Sequence, residues 1–248
     1  MNRRINIILI TILGFSACSP IYYAPSIQNV PMISCKGEKN ISLSAGSSNI
    51  NNIFNTISTL DLQSAYGITN HLSFQINGGY YFAKEDKSDA GGSGHMLETG
   101  IGYFTKINKN TIVECFGIFG FGDFNNKIEI SAISAKGNYQ NISGSLIRLG
   151  IQPAFGFKFK SFEAALSSRM VRLEYKNIRG YLLYGGIDQV DLLKNKNSHY
   201  LFEPAISLKT GWENIKFQLQ YGRSFNLTNP NFRQGKDFIS IGLNFNFN

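Results

Sequence analysis

Three histidines, three cysteines and one tryptophan are all that the 248 residues contain. With Cys18, Cys35 and Cys115 so few and so far apart, the sequence supports neither a disulfide framework nor a zinc cluster. Histidine is limited to His71, His95 and His199. Acid–base catalysis would therefore have very few places to sit. Phosphate-cradling glycine loops and metal-ligand spacings are missing too, and Gly91–Gly94 ("GGSG") reads as a flexible loop tip. The formal charge is +8, from 24 basic and 16 acidic residues, yet no five basic residues run together. That scatter argues against nucleic acid as a partner. No cofactor is expected.

Long apolar runs are equally scarce, with one exception at the start. "MNRRINIILITILGFSAC" places Arg3 and Arg4 before an apolar stretch, Ile5 to Phe15, followed by small residues. This is the layout of a cleaved export signal, and the stretch is too short to cross a bilayer as a helix. Its end, Phe15-Ser16-Ala17-Cys18, resembles a bacterial lipobox, in which the cysteine is lipidated and becomes the new N-terminus. Phe15 stands where leucine is usual. Removing residues 1–17 takes away Arg3 and Arg4 and lowers the formal charge from +8 to +6. Residues 18–37 carry Pro20, Pro25 and Pro31 and read as an extended tether.

From residue 38 to 248 the chain alternates. Apolar residues recur every second position in ten segments, the signature of half-buried strands. Ile41, Leu43 and Ala45 open the series, followed by Leu60, Leu62, Tyr66 and Ile68. Leu72, Phe74, Ile76, Tyr80 and Phe82 form the third set; Leu97, Ile101 and Tyr103 the fourth; Val113, Cys115, Phe119 and Phe121 the fifth. Ile147 to Phe159 is the longest. Phe162 to Met170, Phe202 to Leu208 and Ile215 to Tyr221 come next. The last is "DFISIGLNFNFN", with Ile239, Ile241, Leu243, Phe245 and Phe247 in phase.

Connections alternate as well. Tight turns at 69–70, 106–110, 160–161 and 213–214 are separated by long polar stretches at 47–56, 84–93, 125–142, 174–198 and 226–236. Short turns at one end and long loops at the other are the pattern of a closed, up-and-down transmembrane barrel of about ten strands. Aromatics flank the turns (Tyr103, Phe104, Phe157, Phe159, Phe162, Trp212, Phe245, Phe247) and the loops (Tyr80, Tyr81, Phe82, Tyr200, Phe202, Phe225, Phe238). Two such belts are expected at two membrane interfaces. A soluble sandwich or barrel, with the apolar phase turned inward, is the competing reading.

The last strand, alternating and rich in aromatics, looks like the recognition signal of barrels inserted by the outer-membrane assembly machinery. Residues 18–38 resemble the start of lipobox-bearing barrel proteins of the Bacteroidota outer membrane. The resemblance implies fold and place: the bacterial outer membrane, with lipid and the assembly machinery as partners; an even number of strands returns both termini to the periplasmic side. It implies no defined activity.

If the apolar phase faces lipid, the other phase fills the lumen. That set contains Glu98, Glu114, Arg148, Glu163, Arg169 and Glu203, with Asp61, Gln63, Gln75, Gln152, Lys158, Lys209, Gln218 and Gln220. Ten strands leave a narrow bore that side chains largely fill, and buried charges need partners. The expected outcome is a polar plug and a structural or surface-binding protein without enzymatic activity. A narrow or gated pore is the alternative, and a loop-rim hydrolase using His95 or His199 a further one. Ile187, Val190 and Leu193 are spaced as a short helix folding over the mouth, while Ile128 and Ile130 suggest a protruding ribbon. Binding of an extracellular ligand or partner falls to the long loops. Cys18→Ala is expected to abolish incorporation of radiolabelled fatty acid and to slow signal processing. Undiminished labelling would rule out lipidation at Cys18.

Overall fold

The alternation of outward apolar and inward polar residues fixes ten strands, because successive side chains in a strand point to opposite faces. The computed structural model describes residues 21–49, 56–84, 91–129 and 139–247. The strands are β1 Lys39–Asn49, β2 Thr56–Gly67, β3 Leu72–Lys84, β4 Gly91–Lys106, β5 Thr111–Glu129, β6 Tyr139–Lys158, β7 Phe162–Tyr181, β8 Ser198–Gly211, β9 Ile215–Arg223 and β10 Asp237–Phe247. Each pairs antiparallel with its neighbour in sequence. β10 closes on β1 in a continuous register from Lys39↔Phe247 to Asn49↔Asp237. Closure leaves no strand edge to face hydrocarbon.

The outward phase is apolar around the wall. Leu43, Leu62, Ile101, Leu149, Leu166, Phe217 and Ile241 are all more than half exposed. A band of that size cannot stand in water, whereas lipid covers it. Tyr103, Phe157, Phe159, Phe162, Trp212 and Phe247 ring the turn end; Tyr80, Phe82, Tyr200 and Phe225 ring the loop end. Three aromatics assigned to the belts from sequence face inward instead. Phe104 and Phe238 are buried, and Tyr81 packs on the lumen core. Adjacent residues such as Tyr103 and Phe104 must take opposite faces of the wall.

β5, β6 and β7 run 19, 20 and 20 residues, about twice what a tilted crossing requires. The long connections are therefore partly strand. The Gly91–Gly94 stretch is the start of β4, not a loop tip. The β5–β6 ribbon is paired as far as Glu129↔Tyr139; Ile130 lies outside the described residues. Between β7 and β8 a small hairpin, Leu183–Tyr184 with Ile187–Asp188, leads into helix α1, Gln189–Asn195. Asp188 caps α1 through the amides of Val190 and Asp191, as a carboxylate at a helix start does. Val190 and Leu193 are buried while Ile187 stays exposed, so α1 folds over the mouth on two of the three residues spaced for it.

Such a wall predicts a specific laboratory behaviour. Unheated protein in detergent should migrate as a compact species on a denaturing gel and shift on boiling, its strands resisting protease until then. Protein that stays monodisperse in buffer without detergent would contradict the lipid-facing assignment.

Candidate functional site in the threaded lumen

Residues 21–33, "IYYAPSIQNVPMI", contain no charged side chain, and the structure lays them inside the barrel. Tyr22, Tyr23, Ser26, Ile27, Gln28, Asn29, Val30, Met32 and Ile33 are each at most 5% exposed. The stretch expected as a tether is extended, but its surroundings are the inward faces of the strands. Proline makes the extended form natural, and an extended chain in a narrow lumen turns its carbonyls towards the wall.

Those carbonyls are taken up in order. At the loop end Asn126 Nδ2 donates to Ile21 O at 2.6 Å, the Tyr175 hydroxyl to Tyr22 O at 2.9 Å and the Gly235 amide to Tyr23 O at 2.8 Å. In mid-lumen Arg169 donates to Ser26 O at 2.7 Å, Gln63 to Ile27 O at 3.0 Å, Gln220 to Gln28 O at 2.9 Å and Gln152 to Asn29 O at 2.6 Å. Towards the turns Lys209 reaches Val30 O at 2.8 Å and Lys158 reaches Met32 O at 2.9 Å. A buried carbonyl left unpaired would be a net loss. Here nine are met.

The charged cluster is built around the same segment. Arg148 meets Glu98 at 2.6 Å and Arg169 meets Glu203 at 2.9 Å. Both guanidinium groups also donate to Ser26 Oγ, each at 2.9 Å. The Tyr23 hydroxyl donates to Glu203 at 2.9 Å and accepts from Arg148 at 3.0 Å. Glu163 sits lower, 3.1 Å from Lys216 and 3.4 Å from Lys209. Glu114 is buried and forms no ion pair among the described residues; Lys209 and Lys158 are the opposing charges near it. Lys158 is itself paired with Glu38. Of the six lumen residues singled out from sequence, four meet in one cluster, while Glu163 and Glu114 lie nearer the turns.

Apolar contacts complete the filling. Tyr22 and Tyr23 join Met96, Phe116, Phe124, Tyr175, Val190, Leu193 and Phe232 in a cluster at the loop end. Val30 and Met32 pack on Ile112, Ala154 and Ala165, and Ile33 on Ala65 and Phe104. Two wall glycines record how close the segment runs. A Cβ at Gly67 would lie 2.4 Å from Cys35 O, and one at Gly156 would lie 2.7 Å from Met32 Cε. Met32 itself holds φ 52, an uncommon conformation for a residue with a side chain. Its carbonyl bond and its buried side chain keep it there. Sequence reasoning missed this segment; the absence of charge across thirteen residues was the available signal.

The histidines separate cleanly. His199 is buried, its Nε2 3.0 Å from Lys196 O and its Nδ1 3.1 Å from the Asn226 amide, against the Phe232 ring. That environment holds loop structure together. Asp188 is spent on capping α1, while Asp86 and Asp89 lie outside the described residues. His71 stacks on Tyr103 at the turn end. His95 instead pairs with Asp123, Nε2 to Oδ2 2.9 Å, on the outward faces of β4 and β5 near the loop rim. Cys35 and Cys115 are free and exposed; Cys18 lies outside the described residues.

No family model and no curated protein sequence matches the chain. Solved structures do. The outer membrane protease OmpT from Escherichia coli matches with a TM-score of 0.53 at 7% identity, over 90% of this chain and 99% of that one. The translocator domain of the autotransporter NalP from Neisseria meningitidis gives 0.46 at 12% identity, over 86% and 89%. An outer membrane channel from Pseudomonas putida F1 gives 0.45 at 11% identity, over 90% and 100%. At such identities the likeness is one of fold. It corrects the expectation of a chain without enzymatic activity: an outer-membrane protease has this architecture, so the barrel gives no ground for excluding catalysis.

Removing Arg169 would strip Glu203 of its cationic partner and leave Ser26 O without a donor. Arg169→Ala should destabilise the barrel by about 3–5 kcal/mol, the penalty for breaking a buried pair from one side. The readout is the temperature at which folded gel mobility is lost, and an unchanged temperature would show that the cluster contributes nothing. With ten antiparallel strands closed on themselves, a lipid-facing apolar band and this structural likeness, the chain has the fold of the bacterial outer-membrane β-barrels.

Proposed function

We propose that this chain is an outer-membrane barrel lipoprotein with a structural or surface-binding role, its lumen closed by its own N-terminal segment and its long loops turned outward. The lipobox-like Phe15–Cys18 motif supports the anchor, and residues 18–38 support kinship with the lipobox-bearing barrels they resemble. The observation that carries the reading is the occupancy of the lumen. Nine carbonyls of residues 21–33 are bonded, eight to side chains of β2 and of β5 to β9 and one to the Gly235 amide. A solute would have to break many of these bonds to pass.

With the bore filled, the surface at the loop end is where a ligand or partner would be met. There α1 packs over Tyr22, and the hairpin leading to it exposes Leu183 and Ile187 beside Tyr181. Arg233 lies 3.8 Å over the Tyr184 ring and fixes that hairpin against the 224–236 connection, a cation–π contact.

Planar-bilayer recording tests the reading. The purified protein should insert without stable conductance steps, and a variant lacking residues 21–33 should conduct. Stable channels from the intact protein would overturn the closed lumen and restore the pore alternative.

A further inference from the structure

The segment in the lumen has a direction. Ile21 and Tyr22 are held at the long-loop end, where Tyr22 N donates to Arg233 O at 3.1 Å and the Tyr22 hydroxyl donates to Gln189 of α1 at 2.8 Å. Tyr23 adds a short parallel bridge to Gln234. Ser34 and Lys36 are held at the opposite end, against Glu38 and against Asn70 in the β2–β3 turn. The chain therefore enters at the loop mouth, descends through the lumen, turns at 34–37 and rises again as β1. The thirteen residues from 21 to 33 span about 40 Å when extended, more than the roughly 25 Å apolar band of such a barrel.

We propose that the mature N-terminus is displayed on the outer face of the membrane, carried there through the lumen of its own barrel, so that a lipid on Cys18 sits in the outer leaflet. This replaces the sequence-based expectation of an N-terminus on the periplasmic side. It rests on the orientation adopted above, with the long loops outward. The distances decide it. From Cys18 to Ile21 is three residues, a reach of at most about 11 Å. The inner leaflet lies on the far side of the apolar band, and the way back through the lumen is filled. Lipid can therefore be reached only at the rim of the loop end. Beside Ile21 an apolar hollow of about 60 Å³ is lined from the lumen side by Met96 and Phe124 and from the outward side by Phe82 and His95. An acyl chain leaving the mouth would meet hydrophobic surface there rather than water.

Thiol labelling of intact cells tests this, because the chain carries its own control. Native Cys35 is exposed at the turn end, and outward-facing Cys115 lies on β5 within the lipid band. Two variants are needed: Ser19→Cys, and Lys194→Cys in α1 as a marker of loop orientation. A membrane-impermeant maleimide should label Ser19→Cys and Lys194→Cys to the same extent in intact cells. Cys35 should be labelled only after the outer membrane is permeabilised. Labelling of Lys194→Cys but not Ser19→Cys would overturn surface display while leaving the loop orientation standing. Failure of both before permeabilisation, with Cys35 labelled, would overturn orientation and display together. Labelling of Cys18 itself in the unsubstituted protein would uphold display and remove the lipid.

Discussion

Buried charge in a narrow, water-poor bore is the constraint from which most of this structure follows. Arg148 and Arg169 are about as buried as side chains can be, and a guanidinium has five donors and no acceptor. Glu98 takes two of those donors from Arg148, and Glu203 takes two from Arg169. Two more from each end on Ser26 and, for Arg148, Tyr23, residues of a segment that belongs to no strand. The cluster is complete only when the segment is in place. Charge pairing within the wall and occupation of the lumen are therefore one event, and neither can be weakened without exposing the other.

The wall was legible in the sequence because period-two alternation is a local property. Ile239 to Phe247 announces an outward face on residues two apart, and the tight turn at 213–214 sits between two such runs. Phase also placed Glu98, Arg148 and Glu203 in the interior. It failed at Phe104, Tyr81 and Phe238, each with an apolar or aromatic neighbour that takes the outward face instead, since composition alone does not say which of two neighbours meets the lipid. The threaded segment was not legible in that way. Its carbonyl partners lie far along the chain: Gln152 is 123 residues from Asn29, and Gln220 is 192 from Gln28. No local pattern in 21–33 reports them, and three prolines in 18–37 fit a solvated tether equally well. What differed was charge, since a peptide meant for water has little reason to avoid it over thirteen residues.

A set of wall donors aimed at the axis gives the strongest reason for the segment to be there. The inward phase supplies Gln63, Gln152, Gln220, Lys158, Lys209, Arg148 and Arg169 as donors, all reaching towards the axis. The inward carboxylates Glu98, Glu163 and Glu203 are paired with cations, and Glu98 also accepts from Asn77 Nδ2 at 3.1 Å. An empty lumen would take from Gln63, Gln152 and Gln220 the backbone carbonyls they donate to, and water would have to enter to replace them. An extended backbone offers a carbonyl every ~3.3 Å, spaced along the axis as the strands are. The donors that the wall turns to the axis are thus complementary to a peptide backbone in the bore. That complementarity, more than any single contact, makes the lumen a built site for the chain that fills it.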